Sequence, residues 1–152
     1  MKLLFQFNIA KMRKPYSDPL FDDFKRWLNA LHALADIQPG FVWRYHGEKD
    51  SDGYIKADPS DPLIMGNISA WRDYDSLVSY TFTDGHLQIM KMKRRWFEPI
   101  PHPWTVLWWG DDEDLNKGPD EILKIAQQKL KHLEQNGTTA EAFGFGHHKG
   151  SV

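Results

Sequence analysis

The sequence predicts an α+β domain of the ferredoxin-like class, with the element order β-α-β-β-α-β and an extra C-terminal helix. Three observations carry that expectation. Residues 3–10 and 41–46 alternate strongly and weakly apolar side chains with a period of two, the mark of half-buried strands. Segments with apolar spacings of three and four lie between the strand-like runs, and one more closes the chain. The length of 152 residues fits one domain, and a domain of that size buries roughly 70% of its unfolded surface without staples.

In the first strand Leu3, Phe5, Phe7 and Ile9 fall on one side, and Leu4, Gln6, Asn8 and Ala10 on the other. Asp18 and Pro19 then supply an N-cap and first helical position, with Asp22 and Asp23 in the first turn, where the helix dipole favours acids. Leu20, Phe24, Trp27, Leu28, Leu31 and Leu34 mark the buried stripe of that helix, and Pro39-Gly40 stops it. A second strand runs from Phe41 to His46, with Phe41, Trp43 and Tyr45 on its core side. Gly47 to Pro62 is polar, rich in Asp and punctuated by Gly53, Pro59 and Pro62, as expected of a long exposed hairpin connection. Leu63 to Trp71 is the third strand, and Asp73 caps a helical region that runs toward Phe97 and breaks at Thr83-Asp84-Gly85. Pro99, Pro101 and Pro103 forbid regular structure, Thr105 to Trp109 is the fourth strand, and Asp111 to Pro119 is a polar loop. Asp120 to Gln135 forms the last helix through Ile122, Ala126, Leu130 and Leu133, closed by Gly137. One domain is expected over residues 1–146, with a flexible tail over 147–152.

Composition excludes several classes. With 19 Lys+Arg against 21 Asp+Glu the net charge is -2, so the basic excess of a dedicated nucleic-acid binder is missing. Zero cysteines remove disulfides, thiolate nucleophiles and zinc-thiolate sites, and fit a reducing compartment. Gln6 and Asn8 interrupt the only apolar run near the N-terminus, and no stretch approaches the ~20 apolar residues of a membrane span, so a soluble cytoplasmic protein is expected. No phosphate-binding Gly loop, nucleophile elbow or His-Glu-x-x-His helix is present. Seven tryptophans ask for a large core, a pocket or an interface.

If the more apolar side of each strand meets the helices, the other face offers Gln6, Asn8, Arg44, His46, Met65, Asn67, Ser69 and Trp71. That mixture of apolar and hydrogen-bonding groups suits a small-molecule pocket, the alternative being an ordinary hydrated sheet face. Such a face must be solvated or covered by a partner.

Several segments together resemble an uncharacterised bacterial family, a domain of unknown function placed among the dimeric α/β-barrel proteins. They are Asn8-Ile9-Ala10-Lys11-Met12, Leu34-Ala35 through Pro39-Gly40-Phe41-Val42-Trp43-Arg44, Asn67-Ile68-Ser69-Ala70-Trp71, His86 with Met90 and Arg94-Arg95-Trp96-Phe97-Glu98, Leu107-Trp108-Trp109, and Glu141-Ala142-Phe143. The resemblance implies a homodimer whose two sheets face each other. It also brings in a superfamily with antibiotic-biosynthesis-type monooxygenases, haem-degrading enzymes and members that merely bind. In the haem-degrading members an Asn on the first strand, a Trp near the end of the third and a His on the next helix surround the cofactor; Asn8, Trp71 and His86 stand in comparable places. His86 lies further beyond Trp71 than in that pattern.

The candidates follow from side-chain chemistry. His86 can act as a general base near neutral pH or ligate haem iron. Asn8 can hydrogen-bond a bound oxygen or carbonyl, or pair with Ser69 or Asn67 across the sheet. Arg44 and His46 can position an anionic or carbonyl group, or sit on a hairpin rim. Trp71, Trp96 and Trp108, with Trp109, can wall a pocket for a flat ligand, or fill a core or interface. His147-His148 lacks the fixed backbone of a metal site, and no metal is expected. Three readings result: a homodimer that binds a small apolar or aromatic molecule and acts as a monooxygenase without a dedicated cofactor, a non-catalytic ligand-binding or structural dimer, and a haem-binding protein using His86.

Overall fold

Residues 2–12 form the central strand, β1 (Lys2–Met12), on which the rest of the sheet is hung. The computed structural model describes residues 1–45 and 54–146. His46, the first part of the expected hairpin connection and the 147–152 tail with His147-His148 lie outside the described residues. After β1 the Asp18 carboxylate accepts the Leu20 N–H at 2.8 Å and starts a 3-10 turn, Pro19–Phe21, that leads into helix α1 (Asp22–Asp36). Gly40 turns the chain at φ 85°, a conformation that favours glycine, and an added Cβ would run into the Ser76 side chain. Strands β2 (Phe41–Arg44), β3 (Ile55–Lys56) and β4 (Ile64–Trp71) follow. The Asp73 carboxylate accepts the Ser76 N–H at 2.8 Å to cap α2 (Tyr74–Thr81), and α3 (Asp84–Met92) begins after the expected break. Then come β5 (Phe97–Glu98), β6 (Thr105–Asp111) and the long helix α4 (Pro119–Asn136).

The sheet is antiparallel. β1 pairs with β4 on one side and β6 on the other, and β2 pairs with the far side of β4. Counting only the four main strands, the order is fourth-first-third-second, the ferredoxin-like arrangement. β3 stands where irregular chain was expected and β5 at the end of the expected helical region, adding short pairs to β4 and β1. Two-residue strands have no period for a sequence to display. Residues 112–117 form a 3-10 turn in place of a loop, and beyond α4 Phe143 returns to the sheet, exchanging backbone hydrogen bonds of 2.7 and 3.0 Å with Leu107.

Helices cover both faces of this sheet, which departs from expectation. Leu3, Phe5, Phe7, Ile68, Val106 and Trp108 pack against Ile122, Ala126, Leu130 and Leu133 of α4. The opposite face, with Leu4, Met65, Trp71 and Leu107, lies under α1, α2 and α3. The expected solvated or partner-covered face is thus covered from within the chain. The apolar stripe of α4 needs a surface of its own, and the Leu3-Phe5-Phe7 side is the one that matches it. A register shift between Phe41 and Trp43 also splits the expected β2 face. Trp43 joins the α4 side, whereas Phe41 sits edge-on to Trp71 at 5.4 Å on the other. Trp27, assigned to the core by its spacing, is 40% exposed on α1. Among the described residues no helix is long and apolar enough to cross a membrane.

If the α4 contact is core, Ile122→Ala removes a side chain only 2% exposed. Urea unfolding should show a loss of about 2–5 kcal/mol; a loss below about 0.5 kcal/mol would mean α4 is not docked on the sheet.

Candidate functional site

Residues opposite each other across antiparallel strands put their side chains on the same face. On the face beneath α1–α3 this produces three cross-sheet rows. Trp109, Leu4, Trp71 and Phe41 form an apolar row, Leu107, Gln6, Ser69 and Arg44 a mixed one, and Thr105, Asn8 and Asn67 a polar one. Ala10 and Met65 restore apolar surface one step further along.

Above these rows is a cavity of about 620 Å³, and a smaller lobe of about 270 Å³ shares several of its wall residues. α1 contributes Leu28, Leu31 and His32 to both parts, and α3 contributes His86 and Met90. The spacing His86-Ile89-Met90 puts all three on one side of α3, which is why a polar ring and two apolar side chains face the cleft together. Asn8, Arg44 and Asn67 line both lobes from the sheet, Ser69 and Trp71 the smaller one. The structure therefore brings Asn8, Arg44, Asn67, Ser69, Trp71 and His86 around one cavity.

Two expected pocket residues are placed elsewhere. Trp96 is fully buried against Phe24 at 5.3 Å in the core beneath α1, because the 3-10 turn Lys93–Arg95 directs it inward. Trp108 is on the α4 face, stacked on Phe5 at 5.4 Å and 11°. Its register partner is Phe5, which fixes that side.

The polar groups divide into a closed chain and an open set. Trp71 Nε1 donates to Ser69 Oγ at 2.9 Å, and Ser69 Oγ donates to Gln6 Oε1 at 2.9 Å. Tyr80 stacks on Trp71 at 5.2 Å and donates its hydroxyl to the Leu31 carbonyl at 3.3 Å. Burial pushes the Tyr80 phenol up to about 12, with Arg44 opposing and Asp36 adding to the shift. The Arg44 Nε donates to Asp36 Oδ1 at 3.1 Å, tying β2 to the end of α1. Trp109, the remaining tryptophan expected at the pocket, lines neither lobe, and its Nε1 is buried without a partner. In contrast to the closed chain, Asn8 Oδ1, His86 Nδ1 and Thr105 Oγ1 are also buried and have no hydrogen-bond partner. All three belong to cavity-lining residues. Asn8 does not use this oxygen on Asn67 or Ser69, the pairing that was the alternative for it. Burial lowers the His86 imidazole below its ordinary 6.5, while the Thr81 carbonyl pulls it back up. The ring is therefore neutral at pH 7, able to accept a proton or a hydrogen bond.

Sequence reasoning missed His32, Thr105 and Tyr80. His32 follows Leu28 and Leu31 on the α1 stripe, and Thr105 opposes Asn8 once the β1–β6 register is known. Only the first of those signals is visible without pairing. Among the described residues no group of three His, Asp or Glu side chains is arranged to hold a metal ion.

The chain belongs to the family described as Domain of unknown function (DUF3291), which matches residues 3–151. In fold it is similar to a putative antibiotic biosynthesis monooxygenase from Nitrosomonas europaea, with a TM-score of 0.52 and 14% identity over 71% of this chain and 89% of that one. It is similar also to a conserved protein from Methanosarcina mazei Go1, with a TM-score of 0.51 and 14% identity over 72% of this chain and 92% of that one. No curated protein matches the chain.

The two polar sets respond differently to truncation. Ser69→Ala strands the Trp71 and Gln6 groups and should cost about 1–3 kcal/mol, whereas Thr105→Val deletes a hydroxyl that has no partner and should be neutral or stabilising in thermal unfolding. Equal losses in both variants would mean that Thr105 is hydrogen-bonded after all. For His86 the unfolded ring protonates more readily than the folded one, so the unfolded state binds more protons below about 6.5 and stability falls as the pH drops through that window. His86→Phe should flatten that decline between about pH 7 and 5; an unchanged slope would place the ring in solvent.

Proposed function

We propose that this protein is a monooxygenase-like small-molecule-binding protein whose cavity takes a flat apolar or aromatic molecule bearing an acidic hydroxyl or carbonyl-activated C–H group. One observation carries this reading. Three hydrogen-bonding atoms are buried without partners beside an apolar cavity, and such groups are costly unless a ligand or water answers them. The apolar walls select the ring system, and the Asn8, Thr105 and His86 atoms receive its polar edge.

The chemistry these residues support needs only molecular oxygen as oxidant. Neutral His86 accepts a proton from the substrate C–H or O–H, leaving a delocalised carbanion. The Thr105 hydroxyl donates to the oxygen on which its charge accumulates, and Asn8 Oδ1 accepts a hydrogen bond from a donor on the substrate, in a site from which water is displaced. Dioxygen adds to the carbanion carbon to give a peroxide. Loss of a second substrate proton then breaks the O–O bond: one oxygen atom remains as the new carbonyl, and the other leaves as water with the proton held by His86. The likeness in fold to a putative antibiotic biosynthesis monooxygenase supports this class. The lack of cysteine fits a cytoplasmic setting.

Native mass spectrometry of freshly purified protein should reveal a co-purified aromatic molecule, and an oxygen electrode should show its consumption of dioxygen. His86→Ala should reduce that rate by about 10²–10⁴-fold. Binding without oxygen uptake would leave a ligand-binding protein; no binding of any aromatic compound would overturn the proposal.

A further inference from the structure

The mouth of the cavity carries a charge pattern that the polar set deep inside does not explain. Three basic side chains line it, Arg44, Lys93 and Arg94. Arg44 is already answered by Asp36 at 3.1 Å. Lys93 and Arg94 are exposed and, among the described residues, form no ion pair. Among the described lining residues Glu98 is the one carboxylate, so the exposed charges there sum to +1. The Lys93 ammonium lies 5.0 Å over the ring of Trp104, which is itself 41% exposed and lines both lobes. Cation–π contact holds the amine at the opening without neutralising it.

We propose that the ligand of this cavity is an aromatic acid. Its ring system fills the apolar space between the sheet and α1 and α3, and its carboxylate or equivalent anion is held at the mouth by Lys93 and Arg94, with Trp104 flanking the ring. This rests on the cavity reading under Proposed function and adds the charge of the substrate class. The arrangement separates two tasks. The deep, unpartnered Asn8, Thr105 and His86 atoms hold the reacting edge, and the exposed cations hold the far end, so the molecule enters in one orientation. An anion at the mouth also keeps its charge in partial contact with water, which avoids the desolvation penalty of a buried ion pair.

Two fluorescent probes share one ring system and differ in charge: 1-anilinonaphthalene-8-sulfonate and the neutral N-phenyl-1-naphthylamine. Both should bind saturably, and Leu28→Trp or Ala10→Leu, which fill the cavity from α1 and from the sheet, should weaken both. The sulfonate should bind about tenfold more tightly than the neutral probe, as two partly exposed ionic contacts allow. In Lys93→Gln/Arg94→Gln that ratio should fall toward one, in Glu98→Gln it should rise about two- to threefold, and added salt should lower it in the wild type. If neither probe binds, or if the filling variants change nothing, the cavity reading falls and this inference with it. If both bind in the cavity with equal affinity, or the charge variants leave the ratio unchanged, the aromatic-acid inference alone is overturned.

Discussion

The register of β1 governs the molecule. This strand has neighbours on both edges and helices on both faces, so each of its side chains is committed to one of two interiors. Leu3, Phe5 and Phe7 belong to the α4 side; Leu4, Gln6 and Asn8 belong to the cavity side. A slip by one residue would exchange the two sets and drive Gln6 and Asn8 against Ile122 and Leu130. The paired rows across β4 and β6 inherit their sides from this choice, and with them the positions of Asn67, Ser69, Trp71 and Thr105.

Polar groups in the same interior have been resolved in two ways. Gln6, Ser69 and Trp71 satisfy one another in a chain that fixes three side-chain orientations at the narrow end of the cleft. Asn8, Thr105 and His86, one row along and across on α3, have been left open. A domain that only needed stability would carry apolar residues of similar shape at those positions, since buried unsatisfied atoms work against folding. Three of the four such atoms among the described residues belong to residues that line the cavity; the fourth, Trp109 Nε1, lies in the apolar row. The low proton affinity of His86 arises from the same burial, so the feature that weakens the fold at acid pH is the one that keeps the ring neutral.

Much of the fold could be read from periodicity, because β1, α1, β4 and α4 are long enough to show it. The break at Thr83 and the caps at Asp18 and Asp73 follow from short-range chemistry and were visible too. What could not be read was which face each helix would take. β1 is apolar on both sides near its ends, with Leu4 and Met12 as well buried as Leu3 and Phe5, so composition does not single out the face that meets α1. The same limit misplaced Trp108, and the inward turn at Lys93–Arg95 hid the burial of Trp96. Six of the expected site residues share a cavity because Asn8, Asn67, Ser69 and Trp71 lie on one side of adjacent strands, a relation that alternation does reveal. Thr105 depended on long-range pairing and Tyr80 on a stack with Trp71, neither of which has a local signature.

The docking of α4 has an evolutionary consequence. A sheet face covered by a second copy of the same chain has to remain self-complementary, because every substitution there appears twice about the symmetry axis. A helix supplied in cis carries no such restriction. Ile122, Ala126, Leu130 and Leu133 can drift together with Phe5, Phe7 and Trp108 as one asymmetric set. Because α4 and the sheet belong to one chain, a substitution on either can be answered by the other, and the cleft on the near side can change shape along with the sheet.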